Sequence, residues 1–408
     1  MFLYLSLVLA GDLEQDRQVS ISQLLLQAET ARNSGQWERS LSLFRQIIEI
    51  NAESVSAWIG VSISLNNLKL HGEAVEAIQV ASRLSPSDAS IQAILARTYL
   101  KNRQYAKADK WYQKAIKLHP ETAPVKWYLD LGFIETQYGN LEQARRYYIV
   151  AIQLHPQSVA AYQNLGLLLV NQNRLDEADA CFYTALTVRK DIGSALFGRG
   201  EVAFKRANYK QAVGFYRQAI KLEPTIPQYY RAMGQAMLRL GQIQEGQDYS
   251  AKAKRLRAEQ FRQEAYQEAQ QQNWSQVISK LRLATERDPS YVSALEDLAY
   301  VYVQQEQLLL AESVLSKGLK LVTNWAPGYW QRGEVRFQRK LYDLAEVDLR
   351  KAIELAPAAV PPKFALAQLL FAQHKSLSEA LELAETANRL SPEPRYHRLW
   401  LDVKKKLD

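Results

Sequence analysis

Cys181 is the only cysteine in the chain, so no disulfide framework and no cysteine-rich metal centre can form within it. A thiol is a nucleophile when a base or a helix N-terminus depresses its pKa, and packing material when it sits among apolar residues. Cys181 adjoins Phe182 in a helical pattern, which predicts the packing role. Five histidines, His71, His119, His155, His374 and His397, lack the close i, i+4 spacing of metal ligands. His119 and His155 each stand one residue before a proline, the place of a helix C-terminus, where the dipole favours a histidine. Gly198-Arg-Gly200-Glu-Val-Ala203 carries the letters of a dinucleotide-binding turn, but that turn needs a strand before it and none is patterned there. No Gly-x-Ser-x-Gly, phosphate-cradling loop or His-Glu-x-x-His occurs. The chain is therefore expected not to be an enzyme and to hold no metal and no cofactor.

The elements that carry these residues follow from composition and period. Over 408 residues, 47% are apolar and 23% charged, with 17 Gly and 13 Pro spread along the chain. That excludes a wholly disordered, collagen-like or polytopic membrane protein. The net charge is +8, and between Phe204 and Arg282 fourteen Lys or Arg face six acids, so this stretch carries the whole excess. It is read as solvated helix face, with a phosphate track for nucleic acid or RNA over residues 204–282 as the alternative. Met1 to Ala10 is uncharged and apolar, ends in small residues and lacks a basic n-region. It fits a shortened export signal, an anchor, or a cap on the first helices, and it is too short to span a bilayer. A cytoplasmic location is expected, with an exported or anchored cell-envelope assembly factor as the alternative.

A repeat governs the rest. Ala74, Ala108, Ala144, Ala178 and Ala212 recur at 34, 36, 34 and 34 residues, and Gly246, Val277, Ala311, Ala345 and Ala380 continue the ladder. Seven positions later runs a second ladder from Ala81 to Ala387, and twelve before the first runs a third: Ala28, Ser62, Ala96, Gly132, Gly166, Gly200, Gly234, Ala265, Ala299 and Gly333. Large residues recur between them as Phe44, Ile78, Tyr112, Tyr148, Phe182, Tyr216, Leu281, Leu315 and Leu349, and Pro86, Pro120, Pro156, Pro224, Pro289, Pro357 and Pro392 close seven units. In this register the chain resembles the tetratricopeptide repeat family, with its 34-residue helical hairpin. The resemblance covers about eleven units from Ile21 to Pro394 and implies an all-α, right-handed superhelical solenoid of antiparallel hairpins. Small residues stand where helices cross closely, and proline ends the second helix of each pair. Gly35, Gly139, Asn173 and Gly241 mark left-handed turns within hairpins.

The seventh unit departs from the pattern: it is about three residues short, lacks its closing proline, and has Gly246 and Ser250 where Ala and a large residue belong. Gln247 to Gln272 reads as one continuous Gln-rich helix. The expected organisation is an N-terminal apolar segment (1–20), repeats one to seven (21–257), repeats eight to eleven (258–394) and a closing amphipathic helix (395–408).

The resemblance also implies where a partner would bind, since first helices of such repeats line a concave groove with motif positions 2, 5, 9, 12 and 13. Those positions hold Phe197, Glu201, Phe204 and Lys205, then Arg231, Gln235 and Arg239. Further along they hold Arg262, Tyr266, Glu296 and Tyr300, and finally Trp330, Glu334 and Phe337. Arginine with aromatic residues in a concavity is the composition of a binding hot spot. The expected function is a non-enzymatic scaffold that holds a peptide or helical segment of a protein partner. Two subfamilies fit poorly. Clamps for acidic chaperone tails need Lys and Asn at positions 5 and 9, where Ile59 and Ile63, Ala93 and Arg97, Leu129 and Phe133, or Arg231 and Gln235 stand. Repeats attached to O-linked sugar transferases show an asparagine ladder at position 6, where only Asn164 fits, and no catalytic domain is recognised after the repeats. Self-association through the open ends or the Gln-rich helix stays open.

Overall fold

The computed structural model describes residues 20–407, and the apolar segment Met1–Ala10 lies outside them. The described residues are helices joined by short turns, with no strand among them. They fall into two compact units that divide between Phe215 and Tyr216. The sequence division at Arg257 and Ala258 lands instead inside one uninterrupted 28-residue helix, Ile243–Gln270. No glycine or proline follows Gly246 in that segment, so nothing there breaks the helical hydrogen-bond ladder.

In the first unit the pairs Val55–Asn67 with His71–Leu84, Ala89–Lys101 with Tyr105–Leu118, Val125–Tyr138 with Leu141–Leu154, and Val159–Asn171 with Leu175–Val188 each form a helical hairpin. Ala74, Ala108, Ala144 and Ala178 are fully buried, and so are Ala81, Ala115, Ala151 and Ala185. Phe44, Ile78, Tyr112, Tyr148 and Phe182 fill the space beside these crossings. Fully burying one such side chain contributes about 1.5–3 kcal/mol. The fit is close enough to forbid a methyl group: a Cβ on Gly198 would lie 2.4 Å from the Phe182 ring. That contact explains the glycine-rich run as packing, within helix Gly193–Lys205 and with no strand before it.

The second unit begins its hairpins with Pro227–Arg239 against the long helix, continues through Trp274–Arg287, Val292–Gln304, Leu308–Leu321, Ala326–Gln338, Tyr342–Leu355, Val360–Ala372 and Leu377–Leu390, and closes with Pro394–Leu407. The closing helix buries Tyr396, Leu399 and Val403, covering the apolar face of the helix pair before it. Gly246, a departure from the ladder in sequence, has a packing reason. A Cβ on Gly234 would meet the Gly246 carbonyl oxygen at 2.8 Å, so the two backbones approach too closely for alanine.

A buried ion network holds the middle of this unit. Asp348 is 1% exposed and accepts from Arg332 at 2.7 and 2.8 Å and from Arg336 Nη1 at 2.8 Å. Arg336 Nε also donates to Glu312 at 2.8 Å, Arg339 pairs with the same carboxylate, and Arg332 Nη1 reaches Ser316 Oγ at 3.2 Å. Three helices are thereby tied at one buried charge.

The turn inside each hairpin has a feature that residue type conceals. Gly35, Gly139, Asn173 and Gly241 adopt positive φ, as expected, but so do Lys69, Arg103, Ala207, Gln272, Glu306 and Lys340 at the equivalent position of other repeats. The left-handed conformation costs a side-chain-bearing residue about 1–2 kcal/mol. Ala207→Gly is expected to stabilise the protein by about 1 kcal/mol in urea unfolding, the relieved strain exceeding the glycine's added chain entropy. An unchanged or lowered midpoint would show that the strain at Ala207 does not exceed the glycine's added chain entropy.

Candidate binding surfaces

The residues expected to line one groove separate into distinct environments. In the first unit, Phe204 packs edge-on against Tyr209 of its own hairpin with ring centroids 5.3 Å apart, and Phe197 and Glu201 are half-buried. Lys205 is exposed at the C-terminal end of its helix. Cys181 is half-buried beside Phe182, and burial, with Glu177 nearby, pushes its thiol up to about 11, the reverse of an activated nucleophile. Arg199 of the glycine-rich run pairs with Asp179 at 2.8 Å and lies over the Phe215 ring, which accounts for its charge.

In the second unit, Arg262 and Tyr266 sit one turn apart on helix Ile243–Gln270 and therefore share a face. Asp297 and Tyr300, three apart on Val292–Gln304, face them across a cavity of about 700 Å³. Arg262 Nε donates to Asp297 at 2.5 Å, and that hydrogen bond holds the guanidinium above its ordinary pKa. The floor is apolar, from Ala265, Val277, Leu281 and Val301, all buried. The rim is aromatic: Tyr266 is 68% exposed, Tyr300 61% and Trp274 42%. Trp274 opens the second helix of its hairpin, outside the positions expected to line a groove. It reaches the rim from the start of helix Trp274–Arg287, whose Val277 and Leu281 form part of the floor.

Arg231, Gln235 and Arg239 are exposed on helix Pro227–Arg239. Glu296 accepts a hydrogen bond from Trp325 Nε1 at 2.8 Å and is committed to packing. Trp330 and Phe337 join the cluster around Leu349, Leu366 and Leu370, and Phe337 also lies 5.9 Å from Tyr342. Glu334, on the same helix, is half-buried, and burial raises its carboxyl against the pull of the Trp330 indole N–H and Arg395.

An acid raised on folding favours the folded state fully below its unfolded pKa of about 4.3, and loses that contribution as pH rises through the raised value. Glu334→Gln is therefore expected to melt above the wild type at pH 8 and together with it at pH 4. Identical melting curves at pH 8 would contradict a buried, raised carboxyl.

Comparison with known proteins places this architecture. The chain is 23% identical over 369 residues to the human protein O-mannosyl-transferase TMTC3, a match covering 90% of this chain and 34% of that protein. It is 25% identical over 155 residues to the mouse BBSome complex member BBS4, covering 38% of this chain and 29% of that one. Among solved structures, PilW, described as a type IV pilus biogenesis factor, is similar at 18% identity with a TM-score of 0.47, covering 51% of this chain and 94% of its own. This chain thus spans about a third of the length of the human relative. The expectation that it is not an enzyme is overturned by the first match. A protein similar along nine-tenths of this chain is named a transferase, so the lack of catalytic motifs within the repeats does not set the chain apart from enzymes. Models described as tetratricopeptide repeat match residues 25–89, 89–122, 137–186, 164–227 and 326–358, together more than half of the sequence. With the buried small-residue ladders and the succession of helical hairpins, these matches establish that the chain belongs to the tetratricopeptide repeat family.

Proposed function

We propose that this protein is an interaction scaffold whose second unit holds a segment of a partner polypeptide in the cavity between helices Ile243–Gln270 and Val292–Gln304. The observation that carries this reading is the cavity itself. Exposed Tyr266, Trp274 and Tyr300 surround an apolar floor, with the Arg262–Asp297 pair at the edge. Aromatic residues that stand in water in the free protein bury much apolar area on binding, while a nearby ion pair fixes orientation. An apolar or aromatic side chain of the partner would enter the cavity, and its backbone would meet the polar rim. Affinity capture with the wild type and with Tyr266→Ala/Tyr300→Ala tests it. Both tyrosines are largely exposed, so the variant keeps its fold, and proteins recovered only by the wild type would be the partners. Identical recovery by both baits would refute the cavity as the binding site.

The match to a protein named an O-mannosyl-transferase favours a second reading, in which the held polypeptide is the acceptor of a sugar transfer. Labelled mannosyl donor should then enter the captured polypeptide, and less of it with the tyrosine variant. No transfer, or transfer indifferent to the variant, would leave holding alone as the function.

A further inference from the structure

At the irregular seventh repeat, a second cavity of about 390 Å³ is lined by four cations, Arg231, Lys254, Arg257 and Arg287, with Pro227 and Ser250 between them. No carboxylate contributes to the lining. The three arginines and the lysine are exposed, and among the described residues none of the four has an ion pair. Arg257 is nonetheless oriented, its guanidinium 4.4 Å over the Phe261 ring and donating to Gln260 Oε1 at 3.0 Å. The 13-residue helix Pro227–Arg239 starts at the cavity, with Pro227, Gln228 and Arg231 of its first turns in the lining.

The neighbouring cavity shows what an ordinary arrangement looks like. There Lys254 and Arg287 meet Lys252, Arg255, Glu286 and Asp288. Burial would raise the Asp288 carboxyl, but Arg255 and Ser290 outweigh it and hold the group below its usual range. Asp288 is thus engaged by Arg255, while the exposed Glu286, one residue before Arg287, lines that neighbouring cavity and not the four-cation one. Like charges gathered with no carboxylate in their own lining repel, and a dianion entering between them relieves that repulsion.

We propose that this cavity binds a phosphoryl group presented as a monoester. Its charge of about −2 suits a four-cation cluster better than the single charge of a carboxylate, and the arginine forks can each make paired hydrogen bonds to its oxygens. The cavity also exceeds a bare phosphate and has room for the carrier. The site does not rest on the peptide reading above. Its cations come from the first helix of the seventh repeat, the middle of the long helix at Lys254 and Arg257, and the last residue of Trp274–Arg287, and the two cavities share no lining residue.

The test is calorimetric titration of the full chain at constant ionic strength, with O-phospho-L-serine, inorganic phosphate, succinate and a single-stranded oligonucleotide as probes. Phosphoserine or phosphate should bind saturably at one site and at least tenfold tighter than succinate. Arg231→Ala/Lys254→Ala/Arg287→Ala should weaken that binding at least tenfold. Lys320→Ala/Lys405→Ala/Lys406→Ala, which removes the same charge elsewhere, should not, and neither should Tyr266→Ala/Tyr300→Ala. Arg287→Glu alone supplies a second, less invasive variant with the same expected loss. Phosphoserine above phosphate would assign a phosphorylated polypeptide as the source, and the reverse order a free phosphate compound. Equal binding of succinate, equal weakening by the distant triple variant, or preference for the oligonucleotide would each overturn the proposal.

Discussion

Asp348→Ala should cost the second unit about 3–5 kcal/mol, the range for breaking a buried ion pair by removing one partner. The carboxylate is almost wholly enclosed, and it accepts three hydrogen bonds from Arg332 and Arg336, whose side chains are 15% and 14% exposed. Deleting it leaves two guanidinium groups desolvated and short of their acceptor, while Glu312 alone still engages Arg336 and Arg339. Asp348→Asn should cost less, since the amide oxygen still accepts and only the charge is lost. Replacing Asp348, Arg332 and Arg336 together by apolar residues of similar volume should come close to neutral, because no stranded charge remains. Urea unfolding of the three variants distinguishes these outcomes, and a cost below 1 kcal/mol for Asp348→Ala would show that water reaches the network. Stability in a repeat protein is a sum over neighbouring hairpins, so the loss should be greatest in amide protection of helices Leu308–Leu321, Ala326–Gln338 and Tyr342–Leu355.

The second large effect concerns binding. Tyr266→Ala/Tyr300→Ala should weaken a partner captured by the wild type by a factor of about a hundred to a thousand, corresponding to roughly 3–4 kcal/mol. The two rings face one cavity from different helices, so a single ligand side chain meets both, and their losses should be more than additive or less, but not independent. Arg262→Ala should act differently. It releases Asp297 from its 2.5 Å pair, leaving a lone carboxylate at the rim, so binding should become more sensitive to the partner's charge than to its apolar content. Titration of the partner against the single and double variants measures these terms. A double variant that binds within threefold of the wild type would remove the tyrosines from the interface.

The repeat was legible because close packing leaves so little choice. At Ala74, Ala108, Ala144 and Ala178 a helix crossing excludes anything larger, so the physical constraint appears directly as a residue type at a fixed period. The large partners at Phe44, Tyr112 and Phe182 were legible for the complementary reason, since each fills the space beside a crossing. The turns were only half legible. A glycine advertises the left-handed conformation, but Lys69, Arg103 and Ala207 adopt it because the hairpin around them demands it, and only their motif position carries that information. Gly246 looked like a defect until the approach of the Gly234 backbone supplied its reason.

The proposed binding surface was less legible, because motif position gives direction but not company. Arg262, Tyr266 and Tyr300 stand at the expected positions around one cavity, whereas Phe204, Trp330 and Phe337, at equivalent positions, find neighbouring aromatic or aliphatic side chains to pack against. Nothing in the motif says which aromatic residue has such a neighbour. Trp274 and Arg287 were missed for another reason: they belong to second helices, whereas the expected groove was assigned to first helices, and Lys254 was read only as part of the basic stretch. The continuous helix through the seventh and eighth repeats changes what those helices expose, and the missing proline was the sequence signal that could have pointed there.

The central claim is that a partner polypeptide occupies the cavity framed by Tyr266, Trp274 and Tyr300. Hydrogen exchange of the full chain with and without a captured partner tests it most directly. Protection should rise in the back half of helix Ile243–Gln270, in the first turns of Trp274–Arg287 and in Val292–Gln304, and should disappear with Tyr266→Ala/Tyr300→Ala at the same partner concentration. Protection confined to other helices, with these three unchanged, would contradict it.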